Sequence, residues 1–324
     1  MEQNQETASV QEQNPVAPAA KKSPSGTAVL AIVIMSMVIG SFTTTFTKMV
    51  MNMGVASETV SLYRMVIVSI CLFPLCVVNQ QYRGEMRKAF SSRSIAAKMF
   101  VLGLCKMLGI VLCAWGIRHV PIIVYNTVWN MNPVFTIIFA YLILKERVNP
   151  KSLIGVAICL IGVLVVGSGE IFGAMGTDNF GAMVTGVSLA AISSVSYAVY
   201  LIVSRLLRSG FSMVPLMFVL FTIASVLQFI VCLFSGVSLA LPLKALPLLF
   251  VLSMLCTLMT QSIPVWALKF MSPTLYSLIN LGSIVLSACN AFLLLGEVPS
   301  LSTIIGSSIL IIGLFIYLKT KDRK

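Results

Sequence analysis

The chain states one segment twice. Residues 115–162, shifted by 151 positions, overlie residues 266–313 without a gap. Trp115 falls on Trp266, Tyr125 on Tyr276, Ala140 on Ala291, Glu146 on Glu297, Gly155 on Gly306 and Gly162 on Gly313. Upstream, Cys105 meets Cys256 and Arg118 meets Lys269 at the same offset. Chance supplies a few such coincidences, but rarely both tryptophans, both tyrosines, both glutamates and paired glycines in one register. A period of this length marks a duplicated domain rather than a solenoid.

The medium follows from composition. Hydrophobic residues make up 58% of the chain and charged ones 10%, with a mean hydropathy of +0.99. Soluble domains carry about 25% charged residues. Apolar runs of membrane-spanning length recur throughout, so the fold class is an all-α polytopic membrane protein with ten spans. The net charge of +12 does not imply nucleic acid, because most basic residues sit in short connections between apolar runs. All eight cysteines fall inside those runs, where cysteine acts as a small hydrophobe. With His119 as its one histidine, the chain lacks the makings of most metal or histidine-based catalytic sites. Neither a GxxxxGK[ST] loop nor a plausible GxGxxG turn is present, so direct ATP use is not expected and no cofactor is implied.

Residues 1–26 read as a disordered cytoplasmic tail. The first copy occupies 27–168, with spans at 27–47, 58–78, 97–117, 121–144 and 150–168. A basic loop carrying Arg83, Arg87, Lys88 and Arg93 joins its second and third spans, and Asn149-Pro150 caps its fifth. A Gly-rich linker covers 169–180. The second copy occupies 181–318, with spans at 181–204, 211–235, 243–268, 273–295 and 301–318, and a basic cytoplasmic tail ends the chain at 319–324.

Basic residues on alternate sides of these spans are sharply unequal. The side with both tails holds seventeen, whereas the other holds Lys48, Arg118 and Lys244, and Arg64 and Lys106 remain inside spans. Both termini are therefore expected in the cytoplasm, with the cell (inner or plasma) membrane as the location. Five spans per copy is an odd number, so the second copy enters from the opposite side. Inverted repeats let one central site open to either face.

A polar stripe marks where that site would lie. Tyr125, Trp129, Asn132 and Thr136 share a helical face, and Tyr276, Asn280, Ser283 and Ser287 are their counterparts. Facing lipid, such groups would leave hydrogen bonds unmade. They are expected to line a wet cavity, while Asn126 and Asn130, on a neighbouring face, read as packing or hinge contacts. The alternative for the stripe is adhesion between helices. Pro133 is placed to kink the fourth span beside it.

Two basic residues sharpen the expectation. Lys106 lies at mid-span, where a lysine costs about 2.5–3.5 kcal/mol on insertion scales. Arg64 lies near the start of the second span, within snorkelling reach of the surface. No Asp or Glu lies in the middle of any span. If both basic groups reach the cavity, it favours a solute bearing carboxylate or phosphate. Gln261, one turn before Trp266, is a further polar candidate. Trp115 and Trp266 read as interfacial anchors. Glu146 and Glu297 read as carboxylates near the positive ends of the following helices, and the glycine pairs as close helix contacts.

The segments Ala140-Tyr-Leu-Ile-Leu-Lys-Glu146 and Ala291-Phe-Leu-Leu-Leu-Gly-Glu297, each followed by a glycine-spaced helix, resemble the EamA-type repeats of the drug/metabolite transporter superfamily. The resemblance covers about 28–318. It implies two inverted five-helix repeats and alternating access. It also implies a central cavity between the halves to which the fourth and ninth spans contribute. The expected function is a secondary transporter of a small polar or amphipathic metabolite, anionic or zwitterionic, and not an enzyme. Its partners are that solute and the lipid bilayer, and a homodimer is compatible with the sequence. A membrane-embedded enzyme would need clustered acids or histidines, and a receptor or scaffold gains nothing from duplicated halves with a polar seam.

Overall fold

The computed structural model describes residues 25–145, 150–174, 180–208, 210–296 and 301–321. Among them only helices and their connections occur. The first copy of the repeat supplies α1 (Gly26–Asn52), α2 (Ser57–Val78), α3 (Gln80–Ser91), α4 (Arg93–His119), α5 (Ile122–Trp129), α6 (Asn132–Leu144) and α7 (Pro150–Ala174). The second supplies α8 (Phe180–Arg208), α9 (Met213–Ser235), α10 (Leu246–Ser253), α11 (Thr260–Ala267), α12 (Pro273–Asn280), α13 (Ser283–Leu295) and α14 (Leu301–Lys321). Eight stretches are long and apolar enough to cross a bilayer, and the shorter apolar stretches Leu153–Val165 and Ile304–Tyr317 lie within α7 and α14. The protein is an all-α polytopic membrane protein. Its helices keep their backbone hydrogen bonds inside the segment while Ile70, Phe73, Phe234, Leu293 and Phe315 point outward.

Several elements depart from the sequence expectation. The basic loop after α2 is itself a helix, α3. Asn79 starts it by accepting from the backbone N–H groups of Gln81 and Tyr82, and its polar residues keep it out of the hydrocarbon. The fifth span runs on to Ala174, into the expected linker. The expectations for the N-terminal tail, Asn149, Glu146, Glu297 and the last three residues fall outside the described residues.

The fourth span is broken between α5 and α6, and the ninth is broken at the equivalent place between α12 and α13. At both breaks the chain tightens to bonds three residues apart. Met131 N–H donates to Val128 and Val134 N–H to Met131. In the second copy Leu281 N–H donates to Leu278 and Gly282 N–H to Ile279. Pro133 follows the first break, but Ile284 holds the equivalent position after the second. Proline alone therefore does not explain a feature that recurs without it.

The eighth span is interrupted differently. Pro264 has no N–H for the carbonyl of Thr260, and the turn just upstream, Met254–Met259, widens into a π-helix. Single π turns inside α-helices occur often at functional sites.

Glycine permits the closest helix contact. A Cβ on Gly155 of α7 would stand 2.6 Å from the backbone nitrogen of Tyr317, and one on Gly313 of α14 would stand 2.6 Å from that of Cys159. At the ends of the fourth and ninth spans, Lys145 (φ 55°) and Gly296 (φ 70°) hold equivalent left-handed positions.

Candidate functional site

Between the two copies lies a cavity with about 130 Å³ of space for water centres. One water needs roughly 10–15 Å³ on such a measure, so the cavity has room for several waters or a small solute. Its walls come from α1, α2, α4, both broken spans, α8 and α11.

Arg64 and Lys106 both line it, only 3% and 6% exposed. Arg64 does not snorkel. Its Nε donates to Thr257 Oγ1 and its Nη1 to Thr47 Oγ1, each at 3.1 Å. The π turn shapes this contact, because Thr257 donates its own hydroxyl proton back five residues to the Leu252 carbonyl. Lys106 points its Nζ over two rings, 5.0 Å from the centroid of Tyr200 and 5.8 Å from that of Phe221. The Tyr200 hydroxyl donates to the Gln261 carbonyl, which holds the ring in place. Tyr200 stacks in turn on Tyr197, and Tyr197 meets Trp129 at 5.0 Å. Among the described residues no carboxylate lies within ion-pair distance of Arg64 or Lys106.

Of the sequence candidates, Tyr125, Trp129, Tyr276, Asn280, Ser283, Lys106, Arg64 and Gln261 line the cavity, as does Ser287. Gln261 keeps a buried Oε1 with no hydrogen-bond partner among the described residues. Asn132 and Thr136 do not line it. Asn132 Nδ2 donates to the Trp129 carbonyl at 3.1 Å and Thr136 Oγ1 to the Asn132 carbonyl at 2.8 Å, both fully buried where α6 packs on α8. Their second-copy counterparts Ser283 and Ser287 line the wall, although they too are only 8% and 6% exposed and Ser287 donates to the Ser41 carbonyl of α1 at 3.4 Å.

Asn126 and Asn130 also line the cavity, in addition to making the packing contacts expected of them. Asn126 Nδ2 donates to Thr44 Oγ1 at 3.2 Å and Asn130 Nδ2 to the Asn126 carbonyl at 2.6 Å. The cavity wall is broader than one helical face, so Asn126 beside Tyr125 and Asn130 beside Trp129 both reach it. Sequence reading also missed α1, whose Ser36, Gly40, Thr43 and Thr44 form part of the wall. Their signal was present as small and hydroxyl residues at spacings of three and four. Tyr197 and Cys113 carried no comparable mark.

At one end of α4, Trp115, expected as an interfacial anchor, makes a partly buried contact within the protein. Its Nε1 donates to Glu58 Oε1 at 2.7 Å, and Arg118 lies 3.8 Å from the same oxygen. Gln228 of the second copy donates to the Glu58 carbonyl at 3.1 Å, tying the halves together there.

A helical membrane protein with broken spans around a polar, basic cavity belongs to the solute carriers in general form. The EamA-like transporter family matches residues 27–168 and again 184–319. The chain belongs to that family and is a membrane transporter. It is 26% identical over 316 residues to WAT1-related protein At5g40210 of Arabidopsis thaliana, covering 90% of each chain. It is 23% identical over 291 residues to WAT1-related protein At5g40240 of the same plant, covering 81% of this chain and 78% of that one. A solved crystal structure shares the fold with a TM-score of 0.72 at 14% identity, covering 93% of this chain and all of the other.

Proposed function

We propose that this transporter carries a small organic anion or zwitterion through the central cavity by alternating access, with both termini in the cytoplasm of a cell membrane. The observation that carries the charge assignment is Arg64 and Lys106, buried together on the cavity wall with no carboxylate beside them among the described residues. A carboxylate or phosphate would accept charge-assisted hydrogen bonds from both. The aromatic faces of Trp129, Tyr197 and Tyr276 suit the organic body of the solute, and Gln261, Asn280 and Ser283 suit its polar edges.

Alternating access draws support from the unequal copies. Asn132 and Thr136 are fully buried off the cavity wall while their counterparts Ser283 and Ser287 line it. If the copies exchange these arrangements, the cavity closes along α13 and opens along α6. The family is a transporter family, and transport without an enzymatic reaction is the reading proposed.

The test is uptake by purified protein in liposomes loaded with each solute in turn. The panel is glutamate, benzoate, glucose 6-phosphate and choline. Exchange of at least one anion, and none of choline, is expected. Choline transport with no anion transport would reject the charge assignment.

A further inference from the structure

A second basic pocket lies away from the solute cavity and shares none of its lining residues. It has about 580 Å³ of space for water centres and sits where α8 ends, α9 begins and the turn from α11 to α12 passes. Helix ends place it at headgroup depth rather than in the hydrocarbon. Among the described residues, Arg205, Arg208 and Lys269 line it against one carboxylate, Glu85.

That carboxylate is already engaged. Glu85 Oε2 accepts from the Ser212 backbone N–H at 2.6 Å and Oε1 from the Ser212 hydroxyl at 2.7 Å, which caps α9. Arg205 Nη1 donates to the Met271 carbonyl at 2.8 Å and braces the turn between α11 and α12. Arg208 Nη1 donates to the Phe211 carbonyl, but its Nε is buried with no hydrogen-bond partner among the described residues. Lys269 is exposed. The pocket therefore has basic donors to spare. The lining is not all polar: Phe211 and Leu268 contribute apolar surface, and the chain neighbours Leu206 and Phe270 are 39% and 40% exposed.

We infer that this pocket binds the phosphate headgroup of an anionic phospholipid, with Arg208 and Lys269 on the phosphate oxygens and the acyl chains along the apolar margin. Guanidinium and ammonium donors match phosphate oxygens, and basic pockets between spanning helices hold such headgroups. The occupied pocket would join the end of α8 to the turn that leads into α12, whose Tyr276 and Asn280 line the solute cavity.

Native mass spectrometry of the full chain in detergent tests this, with phosphatidylglycerol and phosphatidylcholine of identical acyl chains. Phosphatidylglycerol should bind at least about tenfold more tightly. Lys269→Gln, at an exposed position that does not endanger folding, and Arg208→Gln should each weaken it about fivefold and leave phosphatidylcholine unchanged. Equal binding of the two lipids overturns the inference, as does a double variant that keeps the preference. A third arm adds inorganic phosphate. If phosphate displaces phosphatidylglycerol at equal concentration, the pocket is a free-phosphate site and the lipid assignment fails.

Discussion

Asn132 and Ser283 hold equivalent positions in the two copies, yet Ser283 lines the cavity and Asn132 is fully buried off its wall. The same inequality separates Thr136 from Ser287 only one turn further on. Equivalent positions thus stand differently to the cavity within a single chain, as a rocking transporter held in one state requires.

The first prediction concerns this pair. Cysteines are introduced singly at 132, 136, 283 and 287 in a Cys113→Ser background, because Cys113 also lines the cavity. Ser283→Cys and Ser287→Cys should react with a water-soluble thiol reagent in the resting protein. Asn132→Cys and Thr136→Cys should react only during turnover with a transported anion. Positions 132 and 136 unreactive in every condition would leave alternating access without its second state.

Lys106→Ala and Arg64→Ala should each lower apparent affinity for a transported anion far more than they lower expression. Losing a hydrogen bond to a charged group costs about 1.5–3 kcal/mol, or roughly 10- to 150-fold in affinity. Initial uptake rates beside size-exclusion profiles decide the matter. Unchanged uptake by Lys106→Ala would make that lysine structural.

Tyr200 offers a finer separation. Tyr200→Phe keeps the ring under Lys106 but loses the bond to the Gln261 carbonyl, whereas Tyr200→Leu loses both. A cation over a ring is worth about 0.5–2 kcal/mol. Uptake should therefore weaken about 2- to 30-fold in the leucine variant and much less in the phenylalanine variant. Equal loss in both would assign the effect to the hydroxyl.

Gly313→Val should lower the unfolding temperature in detergent, because its Cβ would press on the Cys159 backbone. Overpacking costs about 1–3 kcal/mol. Gly84→Ala on α3 is the control, since a Cβ there meets nothing within 4 Å and alanine favours a helix by about 1 kcal/mol. A Gly313 variant as stable as the control would mean that α7 and α14 can separate without cost.

Much of this was readable in one dimension, because the membrane imposes rules that act on local sequence. Apolar runs had to become helices, since no water satisfies a backbone inside lipid. Lys106 declared itself by the cost of placing a lysine at mid-span, and Gly155 and Gly313 by the absence of a side chain where two backbones meet. The register of Trp115 with Trp266 disclosed the duplication.

Tertiary structure decided the rest. The cavity wall spans more than one helical face, so Asn126 and Asn130 reach it beside Tyr125 and Trp129. Arg64 finds Thr47 and Thr257 only after helices distant in sequence converge. Above all, equivalent residues diverge: Asn132 and Thr136 lie off the cavity wall while Ser283 and Ser287 lie on it. Sequence sets each helix's chemistry, because that depends on its own residues and the surrounding lipid. Which of two similar packings a helix adopts depends on the neighbours it meets, and those are chosen only by the assembled bundle.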